Sequence, residues 1–162
     1  MVWLQLCVAG TLLGLAALAA ASNVDPHSDL APPGMRLAAA SFDGPVRADV
    51  THVVDGDTFE ARAAIWLGQS IDVRVRIEGV DAPELHARCD DELTRAQAAR
   101  DWLARRIEGG EVRLSSVHFD KYGGRVDAIV QDSGGDVGAA LIAAGLARPY
   151  HGGHRGGWCQ SA

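Results

Sequence analysis

A segment with a strictly alternating pattern lies near the middle of this chain of 162 residues. Its apolar side chains share one face of an extended backbone: Ile71, Val73, Val75 and Ile77. Its charged side chains share the other face: Asp72, Arg74 and Arg76. Successive side chains in a strand point to opposite faces, so the pattern predicts a β-strand with one buried and one exposed side.

Other segments supply the rest of a small domain. Four further strands are predicted at residues 48–54, 58–66, 111–118 and 125–131, with a turn at 67–70. Helical spacing predicts a helix at 93–107 with Asp90 or Asp91 as its N-cap, and a second helix at 137–144 capped by Asp136. Strands in a run with few helices indicate an α+β, mainly β fold, in which two short helices pack on a five-stranded barrel.

The chain divides into four parts. Residues 1–21 are almost wholly apolar and predict a signal peptide or an uncleaved membrane anchor; a misassigned start at Met35 is a further alternative. Residues 22–44 are rich in proline and glycine and predict a linker. The folded domain is expected at 45–150, followed by a tail at 151–162. Cleavage of the signal would make the protein exported, either periplasmic or secreted.

Two cysteines, Cys89 and Cys159, remain if the leader carrying Cys7 is removed. In an oxidising compartment an even pair predicts a disulfide, although two free buried thiols are the alternative. A bridge across a loop of this length would contribute roughly 4 kcal/mol in the chain-entropy model. A zinc site with the histidines of the tail lacks a second convincing ligand pair.

Two acidic motifs follow predicted strands. Residues 54–58 read Val-Asp-Gly-Asp-Thr, and residues 80–84 read Val-Asp-Ala-Pro-Glu. The glycine permits a tight turn in the first motif. The proline fixes one backbone dihedral in the second motif and makes that turn stiff. If Asp57, Asp81 and Glu84 converge, they offer the oxygen ligands that a hard cation such as Ca²⁺ takes. By itself, the first motif is more typical of a structural hairpin turn than of a cation site.

Two arginines accompany these acids. Arg76 lies on the charged face of its strand, which we expect to be exposed, five residues before Asp81. Arg125 follows a glycine turn. Guanidinium groups, carboxylates and a bound cation can together hold a phosphodiester and the water that attacks it. Alone, Arg76 is typical of a solvated strand residue and Arg125 of a hairpin.

The order of these motifs resembles a known family. Over residues 46–150 the chain is similar to thermonucleases, the staphylococcal-nuclease-like nucleases with an OB-fold. The resemblance rests on the VDGDT turn, Arg76 followed by Val-Asp-x-Pro-Glu, the Asp-Lys-Tyr-Gly turn, and the pattern Ala-Leu-x-x-x-Gly-Leu-Ala-Arg at 140–148. It implies a five-stranded barrel and a Ca²⁺-dependent phosphodiesterase that acts on DNA, RNA or both.

The resemblance also implies roles for the acidic residues. Asp57 and Asp81 would bind Ca²⁺ through their side chains, and Ala82 through its main-chain carbonyl. Glu84 would orient or deprotonate the attacking water.

The remaining implied roles concern the substrate. Arg76 would bind the phosphate, and Arg125 would stabilise the charge that develops on it in the transition state. Tyr122 and Tyr150 would contact the nucleic acid, although Tyr150 is equally suited to closing the barrel.

The chain departs from the family pattern at Gly124, which separates Arg125 from the Tyr-Gly pair. A shift of one residue turns a strand's side chains to the other face, so Arg125 reaches the site only if Gly124 forms a bulge. The connection after Glu84 is also short, and the tail replaces a third charged helix.

A net charge of −6 weighs against binding nucleic acid through a broad basic surface. We therefore expect nucleic acid to be bound locally, modestly and in a salt-sensitive way by a monomer without a stable protein partner. The alternative function is a catalytically inactive OB-fold module that binds nucleic acid or a protein. An acidic cluster that repels phosphate favours the enzyme.

Overall fold

The computed structural model describes residues 41–120 and 124–159. The predicted leader, most of the predicted linker and Tyr122 lie outside these residues. The strands are β1 (Ser41–Phe42), β2 (Val46–Val53), β3 (Thr58–Trp66), β4 (Gln69–Ile77), β5 (Val80–Asp81), β6 (Glu111–Phe119), β7 (Val126–Asp132), β8 (Gly135–Asp136) and β9 (Arg148–Pro149). The helices are α1 (Asp90–Ile107) and α2 (Val137–Ala143). Within the described ranges, no helix combines the length and the apolar character needed to cross a membrane.

Five strands close into a barrel in the order β6, β2, β3, β4 and β7, because β6 pairs with both β2 and β7. The β4–β7 pair is parallel, and the other pairs in the barrel are antiparallel. The prediction of a five-stranded OB-type barrel with two helices is confirmed. Closure removes the unpaired edges that an open sheet of this size would present.

Strand β6 takes part in two pairings because its register changes partway along. Its first half pairs with β2, and its pairing with β7 shifts between Ser115 and His118. Ser116 adopts a positive φ of 53° within this irregular stretch. Such irregularities bend a strand and increase its twist, which a small barrel needs. Ser41 and Phe42, at the end of the predicted linker, pair with the same bent region as β1.

The core lies inside the barrel and beneath the helices. Phe59, Val75, Ile77 and Leu103 are almost completely buried, and full burial of such side chains stabilises a protein by about 1.5–3 kcal/mol each. Ile71, on the apolar face of the same strand as Val75, is 48% exposed. The alternating pattern therefore predicts the strand correctly, but the far end of the β3–β4 hairpin extends beyond the packed core.

Helix α1 lies against the barrel through small and apolar residues. Ala96, Ala99, Leu103 and Ile107 are buried as the helical spacing predicts. The helix begins earlier than predicted, and its N-cap is Cys89 instead of Asp90 or Asp91. The reason is that the first turn carries three acids, which interact favourably with the helix dipole without capping it through a side chain.

Helix α2 begins as predicted. The Asp136 carboxylate accepts a hydrogen bond of 2.7 Å from the backbone N–H of Ala139, which satisfies one of the free donors at the helix N-terminus. Val137 and Leu141 are completely buried against the barrel. This helix fills the space next to the ends of β4 and β5, from which several candidate site residues project.

Gly56 provides a test of how tightly α1 packs on the turn after β2. A Cβ atom at this position would lie 2.8 Å from the Ala99 Cβ and 3.0 Å from the Ala82 Cβ. We therefore expect Gly56→Ala to lower the free energy of unfolding by about 1–3 kcal/mol through overpacking. Urea denaturation measures this change. Gly157→Ala, where a Cβ meets no atom within 4 Å, is the matched control, and equal effects of the two substitutions would contradict the packing argument.

Candidate active site

The turn between β2 and β3 places Asp57 in the interior. The backbone N–H groups of Val54 and Asp55 both donate to the Thr58 carbonyl, and the Asp57 N–H donates to an Asp55 carboxylate oxygen at 3.1 Å. These bonds hold the loop in a single tight conformation. The Asp57 carboxylate is buried and accepts a hydrogen bond of 2.9 Å from the Thr58 hydroxyl.

Arg76 meets this carboxylate from β4. Its Nη2 donates to Asp57 Oδ2 at 2.7 Å and to the Val80 carbonyl at 3.2 Å. Arg76 is only 6% exposed, so the expectation of an exposed strand face is wrong at this position. The reason is tertiary: the β2–β3 turn and β5 cover the end of β4 and supply charged and polar partners for the guanidinium. A buried charge is tolerated where it is paired and hydrogen-bonded in this way.

The second acidic motif continues from β5. Asp81 pairs through its backbone with Arg148 of β9, and its side chain is buried. Ala82 and Pro83 are buried behind it. Glu84 is the first residue of the motif to reach solvent, with a side chain that is 52% exposed. The motif thus presents one buried and one accessible carboxylate.

A third arginine, Arg155, lies on these two acids and was not predicted as a site residue. Its Nη1 lies 2.7 Å from Glu84 Oε1, and its Nε lies 3.5 Å from Asp81 Oδ1. The sequence did contain a signal for it. Arg155 stands four residues before Cys159, and Glu84 stands five residues before Cys89. The predicted disulfide therefore brings Arg155 and Glu84 into the same region.

The predicted disulfide is present between Cys89 and Cys159, whose Cα atoms are 6.0 Å apart. It attaches the tail to the start of α1, directly after the loop that carries Glu84. Trp158 is buried next to this bond, and the Arg148 guanidinium stacks on its ring at 3.7 Å. The cysteines are therefore occupied by a covalent bond, which leaves no zinc site of the kind considered from the sequence.

One cleft of about 880 Å³ connects these elements. We call it the arginine cleft, because Arg76, Arg125 and Arg155 line it together with Tyr150. Asp57, Asp81 and Glu84 do not line this cleft, but they contact two of its guanidinium groups. Asp57 contacts Arg76, and both Asp81 and Glu84 contact Arg155. Tyr122 lies outside the described residues.

Arg125 lines this cleft and directly follows Gly124. Gly124 has a φ of +77°, a conformation that residues with a Cβ rarely adopt. The backbone carbonyl of Arg125 accepts a hydrogen bond from the Asp120 N–H, and its guanidinium forms an ion pair with the buried Asp120 carboxylate. The inserted glycine thus accompanies an arginine that faces the site, although its side chain is held by an acid in this structure.

The carboxylates of Asp57, Asp81 and Glu84 do not form one compact cluster in which all ligand atoms lie within 4.8 Å of one another. Among residues 41–120 and 124–159, Cys89, Glu92 and Cys159 are the group of three potential ligands whose ligand atoms all lie within 4.8 Å of one another. Asp57 and Asp81 are nevertheless close enough for the charge of Asp57 to raise the pKa of Asp81.

Electrostatics make the two buried carboxylates receptive to a cation. Burial raises the pKa of Asp57 to about 6; Arg76 opposes this rise, and Asp55 adds to it. Burial also raises the pKa of Asp81, against the opposing effect of Arg155. Neighbouring positive charge therefore only partly offsets the cost of burying both anions. Carboxylate oxygens are ligands that a hard cation takes, so the chemistry of these two side chains fits such an ion.

Together, fold and site define a class of protein: a small OB-type barrel with carboxylates and arginines around one cleft. A family model for staphylococcal nuclease homologues matches residues 74–156, just over half of the chain. The match includes Arg76, Asp81, Glu84 and Arg125, whereas Asp57 precedes it. The chain belongs to this family.

A curated relative agrees with this assignment. Endonuclease YhcR of Bacillus subtilis (strain 168) is 31% identical over 118 residues, which are 68% of this chain and 9% of that protein. The chain thus corresponds to a small part of the length of that relative. The matching family is described as staphylococcal nuclease homologues, and the relative is named an endonuclease.

The raised pKa of Asp57 predicts how stability depends on pH when divalent cations are chelated. The folded protein binds this proton more tightly than the unfolded chain, for which the usual value is 3.8. The resulting stabilisation is fully present below about pH 4 and is lost as the pH rises through about 6. We expect the free energy of unfolding to contain a decline of about 1–3 kcal/mol over this range from Asp57.

Urea denaturation at several pH values between 4 and 7 checks this prediction. The quantity to compare is the slope of the free energy of unfolding against pH, not its absolute value. Asp57→Asn should lack the decline, whereas Asp72→Asn, at an exposed ion pair with Arg62, should retain it. The same decline in Asp57→Asn and in the unsubstituted protein would show that Asp57 is not responsible.

Proposed function

We propose that this protein is an exported, Ca²⁺-dependent nuclease that hydrolyses phosphodiester bonds of DNA, RNA or both. The observation that carries the proposal is the position of two buried, mutually repelling carboxylates, Asp57 and Asp81, beside a cleft lined by guanidinium groups. The carboxylates suit a cation, and the guanidinium groups suit a phosphate. A site that handles a phosphodiester needs both.

Asp57 and Asp81 would hold Ca²⁺ together with the backbone carbonyl of Ala82. When bound, the ion supplies positive charge that polarises the phosphodiester and lowers the energy of the charge developing on it. Arg76 keeps Asp57 in place through their buried ion pair. Arg76 also lines the arginine cleft, so its remaining donors would bind the phosphate there.

Glu84 would act as the base. Its carboxylate is half-exposed, so water has access to it, whereas Asp57 and Asp81 are buried. Glu84 orients a water molecule and accepts its proton as the water oxygen bonds to phosphorus. Arg125 would stabilise the additional negative charge on the phosphoryl oxygens. The bond between phosphorus and the leaving oxygen then breaks, the leaving oxygen keeps the electron pair, and it takes up a proton from solvent.

The nucleic acid would be held locally, since the whole chain carries a net charge of −6. Tyr150 offers a ring at the edge of the cleft for contact with a base or sugar. It also fastens the tail, because its N–H donates to the Gly79 carbonyl at 2.9 Å and its hydroxyl donates to the Gly153 carbonyl at 2.9 Å. A few local contacts of this kind imply modest, salt-sensitive binding.

Export is supported by the covalent bond between Cys89 and Cys159. Disulfides persist in oxidising compartments and are rare in the cytosol of most organisms. The apolar segment at residues 1–21 supplies the corresponding signal in the sequence.

The cation requirement is tested with purified protein and both single-stranded DNA and RNA. We expect hydrolysis with added Ca²⁺ and its loss with a chelator, because Asp57 and Asp81 would then have no cation to complete the site. Gel analysis of end-labelled substrate measures cleavage. Undiminished hydrolysis with the chelator would contradict the cation role. Binding without any hydrolysis would instead favour an inactive OB-fold module.

The role of Glu84 is tested by Glu84→Gln, which keeps the size of the side chain and removes the base. We expect kcat to fall by about 10²- to 10⁴-fold, as is typical when a positioned base is removed. Glu111→Gln is a matched control, because Glu111 is an exposed acid that pairs with Arg47 on the barrel wall. Equal activity of the Glu84→Gln variant and the unsubstituted protein would refute the assignment.

A further inference from the structure

The tail places a positive charge where the proposed function requires a cation. Arg155 contacts Asp81, a proposed ligand, and Glu84, the proposed base, with one guanidinium group. Among the described residues, these are the two ion pairs that connect the tail to the acidic motif. The positive charge of Arg155 therefore acts directly on both acids of the site.

The position of Arg155 is built into the tail. Before it, Tyr150 is hydrogen-bonded to Gly79, and the Arg155 guanidinium lies 5.5 Å from the centre of the Tyr150 ring. After it, Trp158 is buried and Cys159 is covalently bound to Cys89. A short loop anchored at both ends limits how far Arg155 can move from Asp81, so its charge is present at a high effective concentration.

The loop between these anchors is still able to change conformation. Gly152 and Gly153 have φ values of +91° and +95°, and a Cβ atom at either position would meet no atom within 4 Å. The Arg155 side chain is 38% exposed. Glycine-rich backbone and a partly exposed side chain allow Arg155 to leave the acids without disturbing the buried anchor at Trp158.

A guanidinium and a divalent cation compete for the same carboxylate oxygens. Both are positive, and close approach of two like charges in a partly buried site is unfavourable. A cation that binds Asp81 must therefore displace Arg155 from Asp81 or bind against its repulsion. In either case, part of the binding free energy of the cation is offset by the loss of the Arg155 contacts.

We propose that Arg155 is an internal counter-ion of the site, held on Asp81 and Glu84 by the disulfide-anchored tail, and that it lowers the affinity of the site for the catalytic cation. This inference rests on the proposed function, since it assumes that Asp57 and Asp81 bind Ca²⁺. Arg155 is a positioning residue in this role. It acts on the cation through the two acids.

Calorimetric titration of the chelator-treated full chain with Ca²⁺ tests the proposal without measuring catalysis. We expect Arg155→Gln to bind Ca²⁺ about three- to tenfold more tightly than the unsubstituted protein, as removal of a competing, partly exposed ion pair should allow. Arg155→Lys keeps the charge and should restore the weaker binding. Arg62→Gln removes the same charge at an exposed pair with Asp72 on the β3–β4 hairpin and should leave the affinity unchanged.

The possible outcomes separate this inference from the proposed function. Measurable binding by the unsubstituted protein that is equal or weaker in Arg155→Gln would overturn the counter-ion role and leave the cation site standing. Equal tightening in Arg62→Gln would reveal a general charge effect and also overturn the role. If Ca²⁺ binding is measurable only for the Arg155→Gln variant and not for the unsubstituted protein, the result would strongly support the counter-ion role. If no variant binds Ca²⁺, the proposed cation site fails and this inference fails with it.

Discussion

The buried ion pair between Arg76 and Asp57 organises this protein around one point. It joins the end of β4 to the turn before β3, and the second contact of Arg76, with the Val80 carbonyl, includes the start of β5. A charge at this depth is acceptable only with its partner present, since loss of one member of a buried pair typically costs about 3–5 kcal/mol. The contacts of Arg76 therefore also position the β2–β3 turn and β5, which both carry candidate site residues.

The site that grows from this pair contains nearly equal numbers of opposite charges. Asp57 has Arg76, Asp81 and Glu84 share Arg155, and Arg125 has Asp120. The chain as a whole carries a net charge of −6. Three of its guanidinium groups come together where the barrel, the hairpin after β6 and the tail meet, and each of them is paired with at least one carboxylate. Each arginine is held by an acid, so the guanidinium groups are ordered before any ligand arrives, which reduces the entropy lost on binding.

Much of the fold was predictable because local patterns and tertiary packing agree. The alternation around Val75, the helical spacing of Leu103 and the cap at Asp136 each correspond to a contact in the structure. The prediction was wrong where a neighbouring element changed the environment of a residue. Arg76 was expected to be exposed because alternation describes one strand and says nothing of the loop that covers it. The sequence predicts a disulfide for the tail but no role for Arg155, because the partner of this arginine, Glu84, lies 71 residues away along the chain.

The sequence by itself determined the strands and helices, the two acidic motifs, the cysteine pair and the resemblance to the staphylococcal nuclease homologues. These features depend on residue type and on spacing over a few positions, so they can be recognised without knowing how distant parts of the chain pack together. Only the tertiary structure decided that Arg76 is buried, that Gly124 accompanies an arginine facing the cleft, and that Arg155 lies on Asp81 and Glu84. The reason is physical: burial and electrostatic interactions depend on distances in space, and barrel closure together with the Cys89–Cys159 bond sets those distances between residues far apart in sequence.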